Sequence, residues 1–487
     1  MIKAATENKK IEYEKIAAII ALVLLICCLV PVMWVGHYNH PVGDDFYYGV
    51  DAHLVWEETG NIFETIAEAC KGVVLEYNRW QGTYSAMFLF YMAPNVFSEK
   101  AYGFVATIML SLLTGGIFYF LKPLVCKIAG AGKWLWCIIS SVLTLLCVQN
   151  VPSQAETFFW YNGSVYYTGF FALTLVFWGM VIRYLLSQNH WYLPGLWVLA
   201  IILAGGNYVS LLPAMILLFC LLGALVFFKK KKFILGISGT FLWMMVGFVV
   251  SAMAPGNAIR QSDMWQIPAW KAIAKSLLQG VRYVFAWTDG WWFLAALILI
   301  PFMWMSYGRL QYRFKYPFIV IGFTYGIFCS MSCPLFYTMN STGPARAVAI
   351  VYYAYVLSTF FCLYYFLGYI HRILTEKNRD MKKIDMFAWA GLPVLLFVIL
   401  IASGNSSRLT TVKAIGLLHS GEAKAYHQEF LERLEILQDE TVLDVEFEAY
   451  KNRPDMLYVG DFHDDPEHFN NQKVAEFYHK NTVRVKN

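Results

Sequence analysis

Long apolar stretches, each close to the length that crosses a bilayer, constrain this sequence more than any other feature. A transmembrane helix needs about 20 apolar residues. The first stretch contains no charged residue and follows four lysines. We count about eleven stretches, at residues 16–35, 102–121, 134–148, 169–186, 191–203, 211–228, 233–253, 291–306, 316–331, 347–369 and 387–403. They predict an all-α polytopic membrane protein.

The positions of the cations predict the topology. With the N-terminus inside, every alternate loop is basic, as the positive-inside rule requires. These inner segments carry 20 Lys and Arg against 6 Asp and Glu, a net charge of +14, whereas the whole chain carries +5. The basic excess therefore reflects topology and gives no support to a nucleic-acid partner. Beyond the N-terminal lysines, the predicted inner cations are Lys122, Lys127, Lys133, Arg183, Lys229, Lys230, Lys231, Lys232, Arg309, Arg313, Lys315, Arg372, Lys377, Arg379, Lys382 and Lys383.

Two regions outside the predicted spans are large, the first outer loop and the tail. We predict a transmembrane domain at residues 1–403, and within it residues 36–101 form the long first outer loop. Asn61 and Glu64 have the spacing of a capping box and begin an amphipathic helix, which we expect on the outer membrane surface. Residues 83–94 are apolar but short, which predicts a re-entrant or interfacial segment.

The tail, residues 404–487, has the composition of a small extracytoplasmic α/β domain. We expect a helix at 413–438, strands at 445–449, 456–459 and 482–485, and a further helix beginning at Pro466. A domain of about 80 residues is near the lower size that folds alone.

The sharpest candidate site is the acidic pair in Gly43-Asp44-Asp45-Phe46-Tyr47-Tyr48, shortly after the first span. At the interface such acids can stay ionised, and two adjacent acids point in different directions. One could act as a general base while the other orients a substrate or holds a divalent metal. The alternative is an acidic, hydrated start to the loop.

Aromatic and amide side chains form a second candidate. Glu156 is followed by Trp160, Tyr161 and Asn162, and aromatic faces beside amide and hydroxyl groups suit a sugar. The alternative is an interfacial aromatic belt. Arg79 and Tyr84, in the segment Arg-Trp-Gln-Gly-Thr-Tyr, fit a substrate contact and a structural turn equally well.

Cations in the predicted outer loops run against the topology rule and need a reason. Arg260, Lys271 and Arg346 are candidates for binding a phosphate, because arginine makes bidentate contacts with it. Lys275 and Arg282 follow in the same loop as Lys271. The alternative is snorkelling, or pairing with Asp263 and Asp289.

These motifs together resemble the integral-membrane glycosyltransferases of the GT-C type, whose sugar donor is a polyprenyl phosphate. The main match is Gly43-Asp44-Asp45-Phe46-Tyr47, after one basic-flanked span and at the start of a long outer loop. Trp160-Tyr161-Asn162-Gly163, Ala254-Pro255-Gly256-Asn257 and Ala345-Arg346 are similar to a bacterial branch with this layout. Many of these enzymes carry Asp-Glu where this chain has Asp-Asp, which leaves open which acid is the base and whether a metal is bound.

The resemblance implies an inverting transferase in the bacterial plasma membrane, with the C-terminus extracytoplasmic. It would move a sugar from the polyprenyl-phosphate donor to a cell-envelope glycan or a lipid-linked acceptor. Asp44 or Asp45 would be the base, Arg260, Arg346 and Lys271 would bind the donor phosphate, and no cofactor is certain. The alternatives are a transporter or flippase of lipid-linked sugars, an envelope polysaccharide polymerase or ligase, and a non-catalytic assembly partner.

Overall fold

A computed structural model describes residues 2–307, 310, 312–377 and 386–486. Four of the predicted inner cations, Arg309, Arg379, Lys382 and Lys383, lie outside the described residues.

The first 102 residues form one long helix and the helices of the first loop. A 3-10 turn, Gly36–Tyr38, follows the long helix. Asn61 caps the third helix: its side chain accepts from the Phe63 N–H at 3.0 Å and donates to Glu64 at 2.7 Å, which confirms the predicted helix start. The helices are α1 (Ile2–Val35), α2 (Asp44–Thr59), α3 (Ile62–Arg79), α4 (Tyr84–Tyr91), α5 (Pro94–Phe97) and α6 (Glu99–Tyr102).

The described residues between 103 and 402 form a helical bundle, with short π-helical segments at Leu124–Ile128, Ala155–Phe159 and Val165–Gly169. Its helices are α7 (Val105–Pro123), α8 (Lys133–Gln149), α9 (Tyr161–Ser164), α10 (Phe170–Ser187), α11 (Tyr192–Ala204), α12 (Tyr208–Phe227), α13 (Lys231–Ala252), α14 (Pro255–Ser262), α15 (Ala269–Trp287), α16 (Gly290–Tyr307), α17 (Pro317–Ser330), α18 (Cys333–Met339), α19 (Ala345–Glu376) and α20 (Met386–Ala402).

Eight helical stretches in the described part of the chain are long and apolar enough to cross a membrane, as a multi-pass membrane protein requires. Three shorter apolar helices, Lys133–Gln149, Tyr192–Ala204 and Gly391–Ala402, coincide with the other three predicted spans. The eight are Glu12–Tyr38, Glu99–Ile128, Tyr161–Ser187, Tyr208–Phe227, Lys231–Ala252, Gly290–Tyr307, Pro317–Met339 and Ala345–Glu376.

The tail contains three helices and a two-stranded parallel sheet that pairs Asp444–Phe447 with Thr482–Val485. The predicted helix at 413–438 is two helices, because Gly421 adopts φ +77° and turns the chain between them. The predicted strand at 456–459 is a turn, since the N–H groups of Leu457 and Tyr458 both donate to the Pro454 carbonyl. The last helix begins at Phe469, later than predicted. The elements are α21 (Thr410–Ser420), α22 (Glu422–Gln438), β1 (Asp444–Phe447), α23 (Phe469–Phe477) and β2 (Thr482–Val485).

The tail packs against the first loop and the end of the bundle. Phe46 and Val50 of α2 are buried in one apolar cluster with Val445 and Phe477 of the tail. At the start of the tail, the Thr411 hydroxyl donates to the Cys28 carbonyl of α1 at 2.7 Å. The first loop and the tail therefore lie at the same end of the helical bundle.

A histidine pair also joins the first loop to the tail. His40 is buried, and its Nε2 lies 3.0 Å from Nδ1 of His427 on α22. Its ring stacks on Phe430 with centroids 3.6 Å apart. Burial lowers the pKa of both histidines, which favours the neutral form of both imidazoles at this contact.

Candidate functional site

The acidic pair begins helix α2. Gly43 precedes it with φ +46°, a conformation that strongly favours glycine. The chain turns sharply there, because the N–H of Asp45 donates to the Val42 carbonyl at 3.0 Å. Both carboxylates occupy the first turn of α2, where the helix dipole favours negative charge.

Asp45 is fully buried and held by three donors. Its Oδ2 accepts from the Tyr102 hydroxyl at 2.6 Å and from the Val42 N–H at 3.0 Å. Its Oδ1 accepts from the Asn162 N–H at 3.4 Å. Burial is the largest influence and raises the pKa of Asp45 to about 7, although these hydrogen bonds oppose it. Through its hydrogen bonds, Asp45 joins the first loop to the segments that carry Tyr102 and Asn162.

Asp44 is only half-buried. Burial raises the pKa of its carboxyl, and the positive charge of Arg346 opposes that rise. The two neighbouring acids thus have different surroundings. Asp44 remains partly open and is influenced by the charge of Arg346, whereas Asp45 is enclosed by hydrogen-bond donors.

Arg346 lies in the first turn of α19 and pairs with Glu156. Its Nη1 is 2.6 Å from Glu156 Oε2, and its guanidinium lies 4.8 Å from the centre of the Trp160 ring. Gly163 permits this packing, since a Cβ there would lie 3.1 Å from Arg346 Cδ and 2.8 Å from Trp160 Cε3. Glu156, Trp160 and Arg346, all predicted as site residues, are therefore brought together, and the Asn162 N–H joins their segment to Asp45 of the acidic pair.

The residues after Trp160 complete this side. The Tyr161 hydroxyl donates to the Leu89 carbonyl at 3.1 Å, which ties the segment to α4. Both polar atoms of the buried Asn162 side chain, and the Trp160 indole N–H, have no hydrogen-bond partner among the described residues. A bound polar molecule could satisfy them.

Arg260, on α14, forms a second cationic position. Its guanidinium donates to Gln81 Oε1 and lies 4.9 Å from the centre of the Trp80 ring. The segment before it fits closely against the turn after α3, since the Gly82 N–H donates to Asn257 at 3.0 Å. Segments 79–84 and 254–257, each of which we selected from the sequence, are therefore neighbours in the structure.

The two arginines have separate contacts. Arg346 packs against Trp160 and pairs with Glu156, whereas Arg260 packs against Trp80 and donates to Gln81. Each is a candidate for binding an anion.

The remaining predicted site residues are Arg79, Tyr84 and Lys271, and each has its own contacts. Arg79 pairs with the buried Glu76 at 2.7 Å and donates to the Tyr47 hydroxyl at 3.1 Å, next to the acidic pair. The Tyr84 hydroxyl donates to the Ile201 carbonyl at 2.7 Å, which is a contact between helices. Lys271 lies on the exposed side of α15, with its ammonium 5.4 Å from the centre of the Trp270 ring.

Two cavities lie away from the acids. One, of about 650 Å³, is lined mainly by apolar side chains of α15, α17 and α19, among them Phe285, Tyr325 and Phe366. The other, of about 340 Å³, lies in the tail beside Lys413 and Glu422.

Sequence reasoning missed two contributors to the site. Tyr102, at the end of a predicted span, donates to Asp45 and accepts from the Tyr161 N–H at 2.9 Å. Phe469 of the tail packs edge-on against Tyr47, with ring centroids 5.7 Å apart. The only indication of Tyr102 in the sequence was a hydroxyl at the end of a predicted span. No sequence pattern indicated Phe469.

The residues around the acidic pair do not fit a divalent metal. Both oxygens of Asp45 accept from N–H or O–H groups, whose positive ends point where a cation would lie. In the described part of the chain, no group of three or more His, Cys, Asp or Glu side chains could hold a metal ion.

Comparison of the sequence with models of known protein families and with curated proteins finds no match.

Proposed function

We propose that the chain is an inverting membrane glycosyltransferase that uses a polyprenyl-phosphate sugar donor at the outer face of the membrane. The observation that supports this most directly is the hydrogen bond from the Asn162 N–H to Asp45 at 3.4 Å, which brings the acidic pair, with its half-buried Asp44, beside the segment whose Trp160 packs on Arg346. Asp44 and Arg346 then supply a base and an anion-binding group, which are the two functions that sugar transfer from a phosphate requires.

Asp44 is the proposed base. An acceptor hydroxyl attacks the anomeric carbon, a new C–O bond forms, and the bond from that carbon to the donor phosphate oxygen breaks. The proton of the hydroxyl passes to Asp44, and the phosphate leaves with the bonding electrons. Attack opposite the leaving group inverts the anomeric configuration.

Asp45 is a positioning residue in this proposal. Its hydrogen bonds to Tyr102 and Asn162 fix the start of α2 against the segment that carries Trp160. The buried position leaves it no room to meet an acceptor hydroxyl directly.

Arg346 and Arg260 are the proposed phosphate ligands. Each guanidinium lies over an indole ring, Trp160 and Trp80, which holds its plane in a fixed orientation. Lys271, predicted from the sequence as a third phosphate ligand, is exposed on α15 beside Trp270.

The acceptor is an envelope glycan or a lipid-linked saccharide. The aromatic rings of Trp160 and Tyr47, with the unpartnered Asn162 amide, offer stacking faces and polar groups suited to a saccharide.

The test is sugar transfer by the purified full chain in proteoliposomes. The donors are undecaprenyl-phosphate glucose, galactose, mannose and arabinose, and the acceptors are lipid-linked saccharides extracted from bacterial envelopes. The readout is acceptor-dependent release of undecaprenyl phosphate. We expect release in the wild type. Movement of intact donor across the bilayer without release would instead favour a transporter.

Asp44→Asn should reduce transfer by a factor of roughly 10² to 10⁴, the range for a general base. Asp45→Asn should reduce it through misplacement of α2. Asp51→Asn, two turns along the same helix, is the matched control and should retain activity. Full activity in both Asp44→Asn and Asp45→Asn, with membrane insertion and thermal stability unchanged, would refute the assignment.

A further inference from the structure

Helix α15 divides into three longitudinal sectors. Its protein-facing sector carries Ala272, Ser276, Gly280 and Tyr283, which are buried against α17 and α18. At 3.6 residues per turn, the other positions separate into an apolar arc and a basic stripe. Such a division is typical of a helix that lies between protein, lipid and water.

The apolar arc is unusually exposed. Phe285 is 81% exposed, Trp270 68% and Leu278 65%. Ile273, Leu277 and Val281 lie on the same arc and are also exposed. An arc of this size in a membrane-spanning chain needs a covering of lipid or protein. Trp270, and Trp265 just before the helix, are the side chains that favour the level of the lipid headgroups.

The basic stripe borders this arc. Lys271, Lys275 and Arg282 fall within about 40° of one another around the helix axis. All three are exposed, and α15 contains no acidic residue. Across the described residues, no carboxylate comes within salt-bridge distance of any of them, although Lys275 donates to the Asn340 amide oxygen at 2.6 Å. The alternative that they pair with Asp263 and Asp289 therefore finds no support.

We propose that α15 lies in the membrane interface and that this basic stripe binds the phosphate headgroups of anionic bilayer lipids. The apolar arc enters the acyl region while the three cations meet the phosphates at its edge. A second copy of the chain is a poor occupant, because a twofold contact through this face would bring six cations together. This proposal does not depend on sugar transfer, and it assigns Lys271 to bilayer lipid.

The test measures lipid binding to the detergent-solubilised full chain. Native mass spectrometry counts bound dioleoylphosphatidylglycerol and dioleoylphosphatidylcholine as each is titrated. The wild type should retain phosphatidylglycerol preferentially. Lys271→Gln, Lys275→Gln and Arg282→Gln combined should bind it roughly 10- to 100-fold more weakly. The control is Lys424→Gln, Lys451→Gln and Lys486→Gln combined, three exposed lysines of the tail, and it should bind as the wild type does.

A second arm uses the wild type alone, so it holds even if the triple variant fails to fold. Raising NaCl to about 0.5 M should weaken the binding of phosphatidylglycerol and leave that of phosphatidylcholine unchanged. Equal retention of the two lipids, or wild-type binding by the α15 variant, would overturn the proposal. Displacement of phosphatidylglycerol by stoichiometric undecaprenyl phosphate would overturn it as well, because the stripe would then belong to the donor.

Discussion

At the scale of single residues, the two neighbouring carboxylates Asp44 and Asp45 have different environments. Asp45 is enclosed by Tyr102 and Asn162, which are 57 and 117 positions away in sequence. Asp44 is partly open, and the charge of Arg346, from the other half of the chain, acts on its carboxyl. The sequence predicts an acidic pair that points in two directions. Which acid is buried depends on partners that only the packed helices bring close.

The charge of Arg346 should set the pH dependence of activity. Burial raises the pKa of Asp44 and Arg346 opposes that rise, so Arg346→Gln should raise this pKa further. A general base acts deprotonated, so the acid limb of kcat/KM should move to higher pH. Sugar transfer measured from pH 5 to 9 checks this. Arg346→Lys keeps the charge and should leave the limb in place, whereas an unshifted limb in Arg346→Gln would contradict the assignment.

Asp45 should make stability depend on pH. Its folded pKa of about 7 exceeds the ordinary value of 3.8, so the folded state binds more protons between these values. Stability should therefore fall as the pH rises from about 4 to 7, by about 4 kcal/mol in total, and stay level above pH 7. Asp45→Asn cannot ionise and should lack this contribution. Thermal unfolding midpoints from pH 4.5 to 8 measure it, with Glu440→Gln as an exposed control. Parallel curves for wild type and Asp45→Asn would show that the carboxyl does not titrate in this window.

At the scale of elements, the turn between α3 and α4 fits tightly against the end of α13 and the start of α14. A Cβ at Gly256 would lie 2.4 Å from the backbone nitrogen of Trp80. One at Gly82 would lie 1.9 Å from the Ser251 carbonyl oxygen, which is backbone and cannot move aside easily. The glycines in both sequence motifs thus have a packing reason, and the contact holds Trp80 and Gln81 against Arg260.

Gly82→Ala should push this turn away from α13. We expect a loss of about 1–3 kcal/mol in stability, as for other overpacked sites, together with weaker sugar transfer because Arg260 loses its supports. Gly115→Ala is the matched control, since nothing lies within 4 Å of a Cβ at that helical glycine. Thermal unfolding and transfer assays on both variants check this. Equal behaviour of the two variants would mean that the turn adjusts freely.

At the scale of the whole molecule, the tail and the first loop share a core. Phe46 and Phe477 meet edge to face, with ring centroids 5.1 Å apart. The start of the tail is fixed to the bundle, where the Thr410 hydroxyl donates to the Val148 carbonyl at 2.7 Å. Much of the surface that stabilises residues 404–487 therefore belongs to the rest of the chain.

Residues 404–487 expressed alone should not fold cooperatively, because Phe46 and Val50 complete their core. We expect weak, non-cooperative thermal unfolding by circular dichroism and poorly dispersed amide NMR signals. The same residues linked to 36–101 supply both missing side chains and should recover dispersion. A sharp unfolding transition in the isolated tail would show that it is an independent domain, as its length and composition predict.

The sequence alone determined the helical stretches and their order, the start of α3 and the edges of β2. In a bilayer each helix satisfies its own backbone hydrogen bonds, so length, apolarity and capping residues are read locally. Tertiary structure alone decided that Glu156 pairs with Arg346, that Tyr102 encloses Asp45, and that α23 lies beside α2. These contacts join residues far apart in sequence, and their geometry depends on how the helices pack, which no local pattern encodes.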